Sequence, residues 1–150
     1  MLETFRPLLD AAHGVDLADP AAAERELNRR LDPAGPAAAA LVASLRELLA
    51  AGRIAERGEL PVKWGRVAKA SDASAHFSID VVHMNGAGPR HRHPNGEIDF
   101  CIPLAGQPTF DGRPAGWVVF GPDSTHVPTV AGGEMLIVYL LPAGAMEFLG

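Results

Sequence analysis

The chain has 150 residues, 47% of them hydrophobic and 21% charged, with a formal net charge of −5. This composition predicts one globular domain and excludes a disordered chain, and the acidic balance without a basic cluster disfavours nucleic-acid binding. The single cysteine, Cys101, excludes an internal disulfide. No segment has the run of about 18 apolar residues that a membrane span needs, and no signal peptide is evident, so we expect a cytoplasmic protein.

Helix signals dominate residues 1–52. Asp19 is a candidate N-cap with Pro20 at the first helical position, and a later helix is bounded by Pro36 and Gly52. Two stripes repeat at helical spacing: Leu2, Phe5, Leu8, Leu9 and Ala12, and then Leu41, Leu45, Leu48 and Leu49. We predict an N-terminal helical arm whose stripes are buried against the rest of the chain or against a partner subunit.

Residues 53–150 carry strand signals. Four runs rich in β-branched and aromatic residues predict strands: AHFSIDVVHM (75–84), EIDFCIPL (97–104), GWVVF (116–120) and EMLIVYLL (134–141). NGAGP, FDGRPAG and TVAGGE separate them as predicted turns. Short strands joined by tight turns favour an antiparallel sandwich or barrel, so the fold class is mainly β with an N-terminal helical arm.

The segment GPRHRHPNGEIDF (88–100) carries the candidate chemistry. In an extended segment His91 and His93 point to the same face, and the turn Pro94–Gly96 can return the chain so that Glu97 faces the same point. A turn before His126 would bring a third imidazole to this group. Three imidazoles and a carboxylate suit a divalent transition metal ion such as Fe, Mn or Zn. An isolated H-x-H is usually a surface loop, but the added glutamate and third histidine make the pattern far more specific.

Two further side chains are candidates for proton transfer. Asp99 shares the strand face of Glu97, so it points inward if Glu97 is a ligand, and there it could orient a histidine or act as a general base. His83 falls on the apolar face of its strand. The pattern fits equally well a residue of the active-site wall and an ordinary histidine of the core. Cys101 is interpreted as packing.

The histidine pattern resembles the cupin family, which carries the motifs G-x5-H-x-H-x3,4-E-x6-G and G-x5-P-x-G-x2-H-x3-N on facing strands of a small barrel. His91, His93 and Glu97 match the first motif and His126 matches the second. The glycines flanking the first motif are shifted, Asp123 occupies the usual turn-glycine position, and the terminal asparagine is absent. The resemblance implies a single cupin barrel, a double-stranded β-helix or jelly roll, over residues 53–150.

A closer resemblance covers residues 95–148. The segments FDGRPAGWVVF, STHVPTV and YLLPAGAMEF are similar to the 4-hydroxylaminobenzoate lyases of nitroaromatic degradation. The resemblance implies a metal-dependent enzyme that converts 4-hydroxylaminobenzoate to 3,4-dihydroxybenzoate with release of ammonia. A small aromatic carboxylate would be the substrate, and a homodimer is expected because cupins commonly pair through barrel edges.

A benzoate substrate needs a cation for its carboxylate. Arg92 lies between the ligand histidines and faces away from them, while Arg90 could line the mouth of the site. Lys63 and Arg66 lie on an earlier strand, and Tyr139 offers a hydroxyl group. A bidentate arginine is the best physical match to a carboxylate, so Arg90 and Arg66 are the candidates.

Two other functions remain open from the sequence. A cupin-type Fe(II) dioxygenase would use the same four ligands on a small aromatic substrate. A non-catalytic cupin binding module would need no turnover, and the intact ligand set argues against it.

Overall fold

A computed structural model describes all of residues 1–150. The helical part begins with a 3₁₀ turn, Leu2–Phe5, followed by three helices: α1 (Arg6–Ala12), α2 (Pro20–Arg30) and α3 (Pro36–Ala50). None of these helices is both long enough and apolar enough to cross a membrane.

The helix boundaries follow the predicted signals. The Asp19 carboxylate accepts a hydrogen bond from the Ala22 backbone N–H (3.2 Å), and Pro20 is the first residue of α2. Gly35 caps α3 ahead of Pro36, and Gly52 adopts φ +69° just beyond its end. Pro7 is the second residue of α1, where a missing N–H breaks no intrahelical bond.

Nine strands follow the arm. They are β1 (Arg57–Glu59), β2 (Val62–Ala68), β3 (Phe77–Met84), β4 (His91–His93), β5 (Glu97–Phe110), β6 (Gly116–Phe120), β7 (Ser124–His126), β8 (Val130–Pro142) and β9 (Glu147–Phe148). Six form an antiparallel sheet in the order β1-β2-β3-β8-β5-β6, and three form a small sheet in the order β7-β4-β9. The predicted mainly β class with an N-terminal helical arm is confirmed, although the two sheets do not join into the single closed barrel that was expected.

The prediction that TVAGGE forms a turn is wrong. These residues lie at the start of β8, which pairs with an equally extended β5, and the register shifts between Pro103 and Ala105 and again between Gly106 and Thr109. At Gly133 the strands approach so closely that a Cβ atom would lie 2.0 Å from the Ala105 carbonyl oxygen. The glycines therefore allow irregular pairing inside two long strands instead of ending them.

The six-stranded sheet has two differently covered faces. One face packs against the helical arm in a large apolar cluster that includes Phe5, Leu27 and Leu45 from the arm and Ile79 and Phe100 from the sheet. The opposite face carries a smaller cluster around Val82, Val118, Ile137 and Tyr139. The arm is thus buried against its own chain, and the other face of the sheet is left to form the site.

Candidate metal centre

The small sheet brings the three histidines of the site together. In the antiparallel pairing of β4 with β7, His91 lies opposite His126 and His93 lies opposite Ser124. His91 and His93 are both buried, as two residues that share a strand face should be. Arg92 points the other way and forms ion pairs with Asp123 and Glu147, so its predicted orientation is confirmed.

Two turn residues with positive φ position the remaining two candidate ligands, Glu97 and His126. Gly96 adopts φ +87°, and a Cβ atom there would lie 2.9 Å from the Phe120 carbonyl oxygen, so glycine is needed to place Glu97 at the start of β5. Asp123 adopts φ +64° at the position where the cupin motif has glycine, and its N–H donates to the His93 carbonyl oxygen (2.8 Å). Aspartate tolerates this conformation, so the turn before His126 keeps its left-handed residue.

The four predicted ligands form one cluster. The ligand atoms of His91, His93, Glu97 and His126 all lie within 4.8 Å of one another. The His126 Nε2 atom is 3.0 Å from His91 Nε2, and Glu97 Oε1 is 3.4 Å from His93 Nε2 and 3.9 Å from His91 Nε2. Separate turns and strands therefore converge on one point.

Several polar atoms of this cluster have no hydrogen-bond partner. His93 Nε2 and both carboxylate oxygens of Glu97 are buried and unpaired. Buried polar atoms are nearly always satisfied in folded proteins, and leaving several unsatisfied in one place is costly. A cation held by these nitrogen and oxygen atoms would satisfy them, and the donor set fits a borderline divalent transition metal ion.

Each of the three imidazoles has a hydrogen-bond acceptor at its Nδ1 atom. His91 Nδ1 lies 3.1 Å from the Pro89 carbonyl oxygen, and His126 Nδ1 contacts the Asp111 carboxylate. His93 Nδ1 lies 2.9 Å from Ser124 Oγ, whose own hydrogen is donated to the Gly121 carbonyl oxygen (2.6 Å). All three rings therefore present Nδ1–H to an acceptor and turn the free Nε2 toward the cluster.

The sequence did not identify the two side chains that accept from these Nδ1 atoms, Ser124 and Asp111. Ser124 lies two residues before His126, so its strand face could have suggested it. Nothing in the sequence connects Asp111 to His126, since only the fold of the intervening segment brings them together.

Two neighbouring buried carboxyl groups, Glu97 and Asp99, have pKa shifts in opposite directions. Burial raises the pKa of Asp99 well above its usual range, and the nearby negative charge of Glu97 raises it further. Burial also acts to raise the pKa of Glu97, but the imidazoles of His93 and His91 and the Asp99 carboxyl outweigh it, so the pKa falls below the ordinary value. The ionised form is thus favoured at Glu97, and the neutral form is favoured at Asp99.

The imidazole of His91 is held in its neutral form. Burial lowers the pKa of His91, although the negative charge of Glu97 acts in the opposite direction. A neutral imidazole is the form that binds metal ions, so burial favours the state that a ligand requires.

A cavity of about 690 Å³ opens beside the cluster. His91 forms part of its wall, and Arg66 is the only lysine or arginine that lines it. Arg66 forms a bidentate ion pair with Asp80, with Nε–Oδ1 and Nη2–Oδ2 distances of 2.9 and 3.1 Å. The remaining lining is largely apolar and includes Val62, Trp64, Val82, Met84, Tyr139, Met146 and Phe148.

The structure brings only some of the other candidates to the site. Asp99 is fully buried on the Glu97 side of β5, opposite Tyr139 in the strand register, and Tyr139 and Arg66 line the cavity. Arg90 is exposed and outside the cavity lining.

His83 faces away from the site. Its neighbours Val82 and Met84 belong to the cluster on the site face, whereas Ile79 and Val81 pack against the arm, so alternation places His83 on the arm face. Its Nε2 atom lies 3.4 Å from Glu134 Oε1. The side of the strand that carries His83 does face an apolar core, as expected. However, the sheet has an apolar cluster on each face, and the sequence could not show which of the two lies beside the site.

Comparison with known proteins finds relatives in one family. A family model described as PnbB, 4-hydroxylaminobenzoate lyase, matches residues 8–148. A 4-hydroxylaminobenzoate lyase of Nocardioides sp. (strain LMS-CY) is 33% identical over 93 residues, covering 55% of this chain and 54% of the relative. One from Pseudomonas putida is 33% identical over 91 residues, covering 49% and 51% respectively. The chain thus spans about half the length of the curated relatives it matches.

Two solved structures are similar to part of this chain. An RmlC-like cupin protein from Ralstonia eutropha JMP134 has a TM-score of 0.46 at 13% identity, covering 61% of this chain and 62% of that one. A cupin-like protein from Thermotoga maritima MSB8 has a TM-score of 0.41 at 18% identity, covering 59% and 76%.

The two sheets and the buried His₃Glu cluster define a cupin-like protein with a candidate divalent metal site. The match to the family model covers nearly the whole chain, from α1 to β9. The chain belongs to the 4-hydroxylaminobenzoate lyase family.

Proposed function

We propose that this protein is a metal-dependent lyase that converts 4-hydroxylaminobenzoate and water to 3,4-dihydroxybenzoate and ammonia, in the degradation of nitroaromatic compounds. The observation that carries the proposal is a cavity of suitable chemistry whose wall contains one of the four clustered ligands, His91. Family membership supplies the reaction, and the cavity supplies a place for the substrate.

The cavity suits an aromatic carboxylate. Val62, Val82 and Met84 offer an apolar surface for a ring. Arg66 retains guanidinium N–H groups that Asp80 does not use, and these can donate to a substrate carboxylate. We assign Arg66 this role in preference to Arg90, which does not line the cavity.

His91, His93, Glu97 and His126 would hold the metal ion, with the imidazoles fixed by their Nδ1 partners. When bound, a divalent cation supplies Lewis acidity toward the oxygen that departs from the substrate nitrogen. The identity of the ion follows from the ligand set only as far as Fe, Mn or Zn.

The reaction balances without an oxidant. Breaking the N–O bond releases one water and leaves an electron-poor ring, to which water adds at the carbon beside the nitrogen-bearing carbon. Hydrolysis of the resulting imine with a second water frees ammonia and gives the dihydroxy product. Reduction of the nitrogen is matched by oxidation of the ring.

Asp99 is the proposed proton carrier. Burial raises its pKa and so favours the neutral form, which can donate a proton to the departing oxygen and recover one from the attacking water. Tyr139 lies opposite Asp99 in the strand register and lines the cavity, so its hydroxyl group is a candidate substrate contact.

The direct test is turnover under defined metal and oxygen conditions. Protein loaded with Fe²⁺, Mn²⁺ or Zn²⁺ should form equal amounts of 3,4-dihydroxybenzoate and ammonia from 4-hydroxylaminobenzoate, at the same rate with and without oxygen. Metal-free protein is the control. A folded, fully loaded protein that leaves the substrate unchanged refutes the assignment, and product formation that requires oxygen indicates a dioxygenase instead.

A further inference from the structure

We propose that Asp111 is a positioning residue that fixes the tautomer and orientation of His126 and thereby sets the metal affinity of the site. The inference rests on the metal site of the proposed function, but it concerns binding and does not depend on which reaction follows.

Asp111 is clamped between a ring and the backbone. Its Oδ2 atom contacts His126 Nδ1, while Oδ1 accepts a hydrogen bond from the Thr129 backbone N–H (2.8 Å). The Asp111 N–H also donates to the Thr129 carbonyl oxygen (2.9 Å). Each carboxylate oxygen therefore has its own hydrogen-bond partner, and the two contacts together hold the side chain in this orientation.

His126 is the ligand that most needs such a partner. Its side chain is 11% exposed, against 2% for His91 and none for His93. It lies on the three-residue strand β7, and its Nε2 atom is only 3.0 Å from His91 Nε2. Without an acceptor at Nδ1, the ring could place a hydrogen on Nε2 or turn toward solvent, and either change would remove a ligand.

The three ligand rings have acceptors of different strength. His91 has a backbone carbonyl and His93 has a hydroxyl group, whereas only His126 has a charged partner. Hydrogen bonds to ionised acceptors are about twice as strong as neutral ones, and a carboxylate at Nδ1 makes the imidazole a better donor through Nε2. Asp111 should therefore affect metal binding more than Ser124 does.

Asp111→Asn is a discriminating variant. Asparagine tolerates the φ of +50° at this position, so the turn is not strained, as it would be by alanine. However, an amide has only one acceptor oxygen. If that oxygen accepts from the Thr129 N–H, the NH₂ group faces His126 and favours the tautomer with Nε2–H, which cannot bind a metal ion. If the amide flips, the Thr129 N–H faces the NH₂ group and the clamp is lost.

The matched control is Asp123→Asn. Asp123 also adopts a positive φ and lies in the turn before His126, but its carboxylate pairs with Arg92 and contacts no ligand ring. We expect Asp111→Asn to weaken Zn²⁺ or Co²⁺ binding about 10–100-fold in a chelator competition, with Ser124→Ala weakening it less and Asp123→Asn leaving it within about twofold. Unchanged affinity in Asp111→Asn, or an equal loss in Asp123→Asn, would overturn the proposal.

A measurement on the unaltered protein does not depend on how any variant folds. Long-range ¹H–¹⁵N NMR of the metal-free protein should show His126 as the Nδ1–H tautomer, and Asp111→Asn should change that signal while His91 keeps its own. An Nε2–H tautomer for His126 in the unaltered protein refutes the inference. An inactive protein that binds metal and shows this affinity series would reject the lyase assignment alone.

Discussion

At the scale of single residues, chemical identity does not determine role. His83 and His93 are both strand histidines, and both have a carboxylate oxygen of a glutamate 3.4 Å away. His93 lies in a converging set of ligands, whereas His83 lies on the face that packs against the arm. What distinguishes them is the face on which each side chain emerges.

This contrast gives the first prediction. His93→Ala should abolish stoichiometric metal binding, because it removes a ligand and leaves Glu97 without its nearest imidazole. His83→Ala should retain binding and lyase activity within about threefold, since surface and peripheral changes rarely perturb a distant site. Elemental analysis and the turnover assay measure both, and equal losses in the two variants would place His83 in the machinery after all.

Asp99 gives the second prediction. Asparagine has nearly the shape of a neutral aspartic acid, so Asp99→Asn should preserve folding and metal content. Activity should fall about 10²–10⁴-fold, the usual contribution of a positioned acid or base.

Cys101→Ala is the control for Asp99, since Cys101 is buried two residues along the same strand face. Cys101→Ala should keep its activity. If Asp99→Asn is as active as the unaltered protein, Asp99 does not transfer the proton.

At the scale of elements, the short strand β9 closes one side of the site. It pairs with β4, where Phe148 lies opposite His91, and the Arg92–Glu147 ion pair (3.0 Å) joins the same two strands. Phe148 is 68% exposed yet lines the cavity. Such a residue is positioned to be covered by a bound aromatic ring.

We therefore expect Phe148→Ala to act on substrate binding. KM should rise about threefold to tenfold with little change in kcat, because a contact equally present in the ground and transition states affects only KM. Val127→Ala is the matched control, since Val127 is also an exposed apolar residue but does not line the cavity. Steady-state kinetics separate the two, and a fall in kcat alone would contradict this role.

At the scale of the whole molecule, the arm and the sheet share one core. The larger apolar cluster contains residues from both the arm (1–52) and the sheet. In addition, the indole N–H of Trp117, on β6, donates to the Leu31 carbonyl oxygen in the arm (3.0 Å). The homodimer expected from the sequence stays a prediction. Most residues of the arm stripes are buried within the chain, and Leu2, Leu48 and Leu49 are half-buried against the same core. We therefore expect subunit pairing to use another surface.

A shared core predicts cooperative unfolding. Helical circular dichroism and tryptophan fluorescence should report one coincident urea transition, because neither layer keeps its apolar face covered alone. A shortened chain of residues 53–150 should aggregate, since it exposes the arm-facing side of the sheet. Two separate transitions, or a soluble folded fragment, would contradict this view.

Much of the candidate site could be predicted because three of its four candidate ligands are close in sequence. His91, His93 and Glu97 follow from strand alternation and one glycine turn, which are local properties of the backbone. Helix limits were equally readable, since caps and prolines act within a few residues. The prediction of a turn at Gly132 and Gly133 was wrong because the irregular pairing there depends on β5, a partner strand that is distant in sequence.

The sequence by itself therefore determined the types and spacing of the candidate ligands, the helical arm and the mainly β class. Only the tertiary structure showed which face of the large sheet lies beside the candidate site. It placed His83 on the other face, put Arg66 but not Arg90 in the cavity lining, and brought Asp111 to His126. The physical reason is range. Alternation and capping act between neighbours along the chain, whereas the choice between two apolar faces depends on where the arm packs.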